Sequence, residues 1–183
     1  MEVTAATAAT DWKWAAPWVC PPLKASSDRG TPTIIPPTSA AASPFPDPPM
    51  TPTRATGRFD VKLVPQQDDP AVAGPFGRML LDKHFHGDLD ATSNGQMLAG
   101  MSPITGSAAY VAMEQVTGTL HGRQGVFMLH HTGIMNRGET ALTIAVVPDS
   151  GSHELTGLTG TMQIIVEAGT HSYIFDYILP TYE

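Results

Sequence analysis

The segment from Phe59 to Leu179 is built from a succession of short alternating runs, and this pattern constrains the fold more than any other feature. In Gly57–Val64, for example, the apolar residues Phe59, Val61 and Leu63 alternate with charged residues. Alternation with a period of two is typical of a strand with one buried face. The segment shows no convincing helical pattern, and turn residues separate the runs. The chain therefore predicts an all-β domain.

Eight strands are expected in this segment. They cover about Gly57–Val64, Gly77–Leu89, Gly95–Ser102, Ser107–Leu120, Val126–Met135, Glu139–Val147, Thr161–Glu167 and Thr170–Leu179. Eight antiparallel strands favour a closed barrel, because closure removes exposed strand edges. A barrel of this size encloses side chains or one small ligand. A two-sheet sandwich is the alternative architecture.

Short turns predict how neighbouring strands pair. The loop from Gly122 to Gly125, the turn Arg137-Gly138 and the turn Ala168-Gly169 each join two predicted strands. The expected partners are Leu120 with Phe127, Val116 with His131, His131 with Ile144, Leu129 with Val146, Val166 with His171, and Ile164 with Tyr173. In each pair of strands the apolar faces coincide, and this agreement between turn and pattern supports the fold.

Residues 1–56 differ in composition from residues 57–183. Ten of the 17 prolines occur by Pro49, and Ala, Ser and Thr fill much of the remainder. Proline removes backbone donors, and a segment without periodicity cannot bury a core. We therefore expect a disordered extension over residues 1–56 and a β-barrel domain over residues 57–183.

Two features of the extension allow different interpretations. All three tryptophans and the single cysteine lie between Trp12 and Cys20. This stretch is either a short docking motif or part of a non-functional extension. Met50 lies just before the first predicted strand, which leads to the hypothesis that translation starts there.

The formal net charge of -7 and the pI of about 5.4 exclude several kinds of partner. The chain has no basic stripe for nucleic acid, and an acidic surface disfavours anionic membranes. It also lacks an apolar run of the roughly 20 residues that a membrane helix needs. Cys20 cannot form an internal disulfide, and the start lacks the pattern of a secretion signal. We expect a cytoplasmic protein with no nucleic-acid or membrane partner.

Several polar side chains fall on the predicted inner face of the barrel. They are Lys83, Tyr110, Glu114, His131, His171, Tyr173 and Tyr177. Glu114 and His131 are expected to be diagonal neighbours on adjacent strands, roughly 7–8 Å apart between Cα atoms. Buried ionisable groups are costly unless they are paired, so they mark either a structural network or a site.

His84 and His86 form a His-x-His pair on one strand face, which is a spacing that metal sites use. Both alternate with Lys83, so they are expected to point outward among acidic residues. A solvated polar face is the preferred interpretation, and no metal ligand is predicted. A metal enzyme that uses His84 and His86 is a weaker alternative.

A run of motifs resembles a bacterial family of domains of unknown function that is similar in fold to the allene oxide cyclase-like barrel. The motifs are Lys83–Leu89, Ser93–Leu98, Ser107–Glu114, Thr117–Gly122, Gly125–Gly133, Val146–Gly151, Glu154–Gly160 and His171–Tyr177. The resemblance covers about Gly57 to Leu179 and implies that barrel fold. It also implies chemistry on an apolar ligand, but it assigns no role to any residue.

The sequence thus favours a barrel that binds a small apolar molecule without a cofactor and acts as an isomerase or cyclase. Glu114 and His131 are the predicted catalytic pair. The predicted ligand-binding residues are Lys83, Tyr110, His171, Tyr173 and Tyr177. The alternative is a non-catalytic binding or scaffold barrel filled by its own side chains, and the cavity volume would distinguish the two. The sequence shows no exposed apolar stripe, so a homo-oligomer is left open.

Overall fold

The structure is a computed structural model that describes residues 51–67 and 76–180 of the 183-residue chain. The predicted disorder of residues 1–50, the Trp12–Cys20 motif and the Met50 start lie outside these described residues. Residues 53–56, which we assigned to the extension, form the beginning of the first strand. They do so because Thr53–Phe59 pairs with the last strand and closes the sheet.

Eight antiparallel strands form one closed barrel in which each strand pairs with its neighbours in sequence and the first pairs with the last. The strands are β1 (Thr53–Pro65), β2 (Phe76–Gly87), β3 (Leu89–Met101), β4 (Ala108–Leu120), β5 (Arg123–Asn136), β6 (Glu139–Val146), β7 (Thr159–Glu167) and β8 (Thr170–Ile178). The predicted all-β barrel is confirmed. Within the described residues, no helix is long and apolar enough to cross a membrane.

The boundary between β2 and β3 differs from the prediction. We expected one strand to continue to Leu89, but β2 ends at Gly87, whose φ of 111° favours glycine. Asp88 then accepts a hydrogen bond from the backbone N–H of Thr56 at 2.8 Å. Leu89 therefore begins β3, and residues that we placed in a loop lie in that strand.

The predicted pairing of β5 with β6 and of β7 with β8 is confirmed. His131 lies opposite Ile144, and Ile164 lies opposite Tyr173. β4 and β5 are neighbours as predicted, but the predicted register between them is wrong, because Val116 rather than Leu120 lies opposite Phe127.

The physical reason for the error is the turn itself. His121 and Gly122 both have positive φ, 47° and 79°, so two residues suffice to reverse the chain. The shift of four residues is even, and for that reason it leaves every side chain on the predicted face.

Apolar side chains fill one end of the barrel. We call this the closed end; it contains the N-terminal end of β1, the β2–β3 and β4–β5 turns, and the β6–β7 connection. The opposite end of the barrel is the open end. The rings of Phe127 and Phe175 stack there with centroids 5.9 Å apart. Leu155 and Leu158, from the β6–β7 connection, are fully buried beneath the strands. The closed end is therefore a packed core.

The outer wall of β4 and β5 carries an exposed apolar strip. Val111, Met113 and Ile134 are 52%, 47% and 58% exposed, respectively. The expectation that no such strip exists is wrong. It arose because the sequence pattern assigns apolar residues to the inner face, and these three lie at the alternating positions that face outward.

Candidate functional site

A buried polar network lies across the middle of the barrel, with Glu114 at its centre. One carboxylate oxygen of Glu114, Oε1, accepts hydrogen bonds from Lys83 Nζ and His131 Nε2, each at 2.8 Å. The other oxygen, Oε2, accepts from Ser93 Oγ at 2.7 Å. All four residues are at most 6% exposed. Glu114 is thus a buried carboxylate with three donors.

Four consecutive strands, β2 to β5, supply one member each. Lys83 lies directly opposite Ser93, and Glu114 lies opposite Gly95. A side chain at Gly95 would collide with the Met113 carbonyl oxygen and with Cα and Cβ of Glu114, so the glycine allows β3 and β4 to approach closely at this position. His131 is a diagonal neighbour of Glu114, as predicted, because Glu114 pairs with Leu129. The network therefore follows from the strand registers.

The environment of Glu114 keeps its carboxylate ionised. Burial alone would raise the pKa of Glu114, but the Lys83 ammonium and the hydrogen bond from His131 outweigh this effect. Together they lower the pKa from 4.5 to about 2. Glu114 does not line the cavity described below. A weak base that is fully hydrogen-bonded is suited to orient His131 rather than to remove a proton from a ligand.

His131 is held in one tautomer. Because an ionised carboxylate can only accept hydrogen bonds, Nε2 carries the proton that points to Glu114. Burial lowers the pKa of His131; the hydrogen bond to Glu114 opposes this, and the Lys83 charge adds to the lowering. The ring is therefore neutral, with a lone pair on Nδ1. The contact with Glu114 thus uses Nε2 and leaves Nδ1 as the acceptor of the ring.

The Lys83 ammonium lies between the carboxylate and two aromatic rings. Its Nζ is 5.4 Å from the ring centroid of Phe59 and 5.8 Å from that of Phe85. Such cation–π contacts stabilise an ammonium that has lost part of its water. Lys83 has three N–H donors, and the contact with Glu114 uses one of them. That contact leaves two donors, and Lys83 lines the cavity described below.

Above the network the barrel is hollow. A cavity of about 890 Å³ extends to the open end, and all eight strands contribute to its wall. Lys83 and His131 form its polar floor, and Tyr110 and His171 line it as well. The rest of the wall is largely apolar, including Leu81, Met97, Leu142 and Ile164. The cavity has the composition of a small-molecule site, which is mostly apolar with a few convergent polar groups.

Tyr110 depends on a glycine on the neighbouring strand. Gly133 lies directly opposite Tyr110, and a side chain at Gly133 would overlap the tyrosine ring. Burial and the Glu114 charge raise the pKa of Tyr110 to about 12, so the phenol stays protonated. Tyr110 thus contributes a neutral hydroxyl to the cavity wall.

Replacing Gly133 is expected to displace the Tyr110 ring. Gly133→Ala should lower the free energy of unfolding by about 1–3 kcal/mol, because overpacking forces neighbouring side chains to move. Urea denaturation of Gly133→Ala, Tyr110→Leu and the double variant measures the coupling. The overlap is refuted if the effects of the two substitutions are additive.

Two of the predicted ligand-binding residues lie elsewhere. The hydroxyl of Tyr173 accepts a hydrogen bond from the backbone N–H of Leu89 at 2.9 Å. The hydroxyl of Tyr177 contacts His121 Nδ1 at 2.7 Å. Both side chains are buried in the closed end, and neither lines the cavity. Their hydroxyls satisfy local partners, so the geometry favours structural roles for both.

His84 and His86 point away from the barrel interior, as predicted. Both are exposed, and His86 Nε2 lies 3.2 Å from Asp60 Oδ2. Among residues 51–67 and 76–180, no group of three or more His, Cys, Asp or Glu side chains is arranged to hold a metal ion. The geometry gives the metal-enzyme alternative no support.

Sequence reasoning missed Ser93 and Thr140. Ser93 is fully buried in the network, but our boundary for β3 left it in a loop. The Gly87 turn was the available signal, because starting β3 at Leu89 places Ser93 on the inner face opposite Lys83.

Thr140 Oγ1 is buried in the described structure without a hydrogen-bond partner, and Thr140 lines the cavity. A threonine near a strand end gives no such signal.

The protein is expected to lose stability in acid, in two stages. The pKa of His131 lies below its ordinary 6.5, so the unfolded chain gains a proton first and stability starts to fall below that pH. The pKa of Glu114 is about 2 instead of 4.5, so its contribution is complete above pH 4.5 and is lost towards pH 2. Urea denaturation from pH 7.5 to 3 measures both stages. In His131→Phe the first stage should disappear while the second persists; an unchanged profile would contradict the assignment.

Comparisons with known proteins agree with this architecture. The family model described as "Protein of unknown function (DUF3224)" matches residues 55–177. A crystal structure of a protein of unknown function from the DUF3224 family of Shewanella oneidensis MR-1 matches with 50% sequence identity and a TM-score of 0.67. That match covers 72% of this chain and 99% of the other. No curated protein matches this chain significantly.

The family match extends from the third residue of β1 to the last but one of β8, so it includes nearly all of the barrel and all four residues of the buried network. The resemblance noted in the sequence motifs is thereby confirmed. This chain belongs to the DUF3224 family.

Proposed function

We propose that the barrel binds a small, mostly apolar molecule in the cavity and isomerises it by proton transfer. The observation that carries this proposal is the cavity of about 890 Å³ above a floor of Lys83 and His131. Small-molecule sites typically measure roughly 300–1,000 Å³ and combine an apolar wall with few polar groups. Buried ionisable residues at such a floor are candidates for acid–base work.

The cavity argues against a barrel filled by its own side chains. The large residues Phe127, Phe175 and Leu129 fill only the closed end. Protein interiors are otherwise close-packed, and voids much larger than a water molecule are few. A scaffold that needs no ligand gains nothing from an apolar space of this size.

The geometry supports different roles for the two predicted catalytic residues. His131 faces the cavity and has a lone pair on Nδ1, so it is the group that takes a proton from the ligand. Glu114 lies behind it and acts as a positioning residue through its contact with Nε2. Lys83 stabilises negative charge that develops on the ligand. Tyr110 and His171 shape the wall.

The proposal is tested by blocking the cavity without altering the network. Ala99 lines the cavity, whereas Ala141 is exposed on the outer face of β6. Native mass spectrometry of the full chain from its source should reveal a small molecule that co-purifies, and Ala99→Trp should abolish its retention. Ala141→Trp is the matched control and should retain it. Equal retention by both variants would place the molecule outside the cavity and overturn the proposal.

A further inference from the structure

We infer that the ligand carries, at its inner end, a neutral group that both donates and accepts a hydrogen bond, namely a hydroxyl such as that of an alcohol or of the enol of a ketone, and not a carboxylate. This inference rests on the proposed function, since it concerns the molecule that occupies the cavity. It goes further because it assigns the chemical class of the group that meets Lys83 and His131.

The first argument is charge. The Lys83 ammonium and the Glu114 carboxylate are in contact at 2.8 Å and cancel, and the His131 ring is neutral. All three groups are buried. A carboxylate added to this floor would bring an uncompensated negative charge next to Glu114, and an ammonium would bring a positive one next to Lys83. Uncompensated buried charges are strongly unfavourable, so a neutral group fits the floor best.

The second argument is the pattern of donors and acceptors. His131 and Lys83 both line the cavity, and their contacts with Glu114 leave one acceptor, His131 Nδ1, and two N–H donors on Lys83. A purely apolar molecule would leave both unsatisfied, and an ether or ester would satisfy only Lys83. A hydroxyl satisfies both at once, because it donates to Nδ1 and accepts from Nζ.

The third argument is that an enolisable ketone can react at this floor without a co-reactant. His131 Nδ1 removes a proton from the carbon next to the carbonyl, and the electrons of that C–H bond form a carbon–carbon double bond. The carbonyl π electrons move to the oxygen, which accepts a hydrogen bond from Lys83 Nζ. If the ketone is β,γ-unsaturated, the proton returns from Nδ1 to the γ carbon while the electrons on oxygen re-form the carbonyl, and the product is the α,β-unsaturated isomer with the same atoms and electrons.

Three probes of similar shape separate the alternatives. They are 2-naphthol, which resembles an enol, naphthalene, which has no polar group, and 2-naphthoate, which is a carboxylate. Isothermal titration calorimetry of the full chain at pH 7.5 gives the affinity of each. We expect 2-naphthol to bind at least about tenfold more tightly than naphthalene, which is the effect of a hydrogen bond to a charged group. We expect 2-naphthoate to bind at least about tenfold more weakly than 2-naphthol.

The variant His131→Phe shows whether the preference arises at the floor. Naphthalene should still bind, which also reports that the variant is folded and that the cavity is intact. The preference for 2-naphthol over naphthalene should fall measurably below that of the unmodified protein but should not vanish, because the acceptor Nδ1 is gone while the Lys83 donor remains. Ala141→Trp is the control and should retain the preference.

The outcomes distinguish the inference from the proposed function. Tightest binding by 2-naphthoate, or equal binding of 2-naphthol and naphthalene, would overturn the inference while leaving a functional cavity. A preference in His131→Phe as large as in the unmodified protein would also overturn it. If none of the three probes binds, the proposed function itself fails.

Discussion

Glu114→Ala is expected to destabilise the protein by about 3–5 kcal/mol, which is the cost of leaving a buried charge without its partner. The Lys83 ammonium would then lie among Phe59, Phe85 and the cavity wall with no carboxylate nearby. His131 and Ser93 would lose their acceptor as well. Urea denaturation at pH 7.5 measures the loss.

A second variant separates lost charge pairing from lost packing. When both charges are replaced by apolar side chains of similar size, as in Lys83→Met with Glu114→Leu, much of the stability should return, because the desolvation cost disappears with the ions. Glu114→Ala alone should therefore be less stable than the double variant. The ion pair is not the cause if the double variant is the less stable of the two.

Phe175→Ala is expected to have an effect of similar size, about 3–5 kcal/mol, for a different reason. Phe175 is fully buried, stacks on Phe127 and contacts Tyr177 with ring centroids 5.4 Å apart. Its removal would create a void in the packed end, where the surrounding strands cannot collapse. Thermal and urea denaturation measure the effect.

The matched control for Phe175→Ala is Met97→Ala at the other end of the barrel. Met97 is nearly buried but lines the cavity, so its side chain already faces empty space on one side. The expected loss is roughly 1–2 kcal/mol, because fewer contacts are removed. Equal losses for the two variants would contradict the division into a packed end and a hollow end.

The fold could be predicted from the sequence because its signals agree. Alternation placed Phe59, Lys83, Glu114 and His131 on one face, and the Arg137-Gly138 turn gave the correct register for β5 and β6. The β4–β5 register could not be derived, because two turns that differ by an even number of residues put the same side chains inside. Only the backbone conformation of His121 and Gly122 distinguishes them.

The site was only partly predictable, because its composition depends on depth along the barrel axis. Periodicity shows that Tyr110, His171, Tyr173 and Tyr177 face inward, but it does not show which end of the barrel each one occupies. The position of a side chain along the barrel axis depends on the tilt of its strand and on which neighbouring side chains occupy the same level of the interior. As a result Tyr173 and Tyr177 were grouped with the cavity residues, although the closed end contains them.

The hollow upper half and the solid lower half have a practical consequence for protein engineering. Substitutions at Leu63, Met97 or Ala99 alter the shape of the cavity at positions that lie outside the packed cluster with the aromatic layer. The shape of the cavity can thus be redesigned at positions where a substitution costs less stability than it does in the aromatic layer.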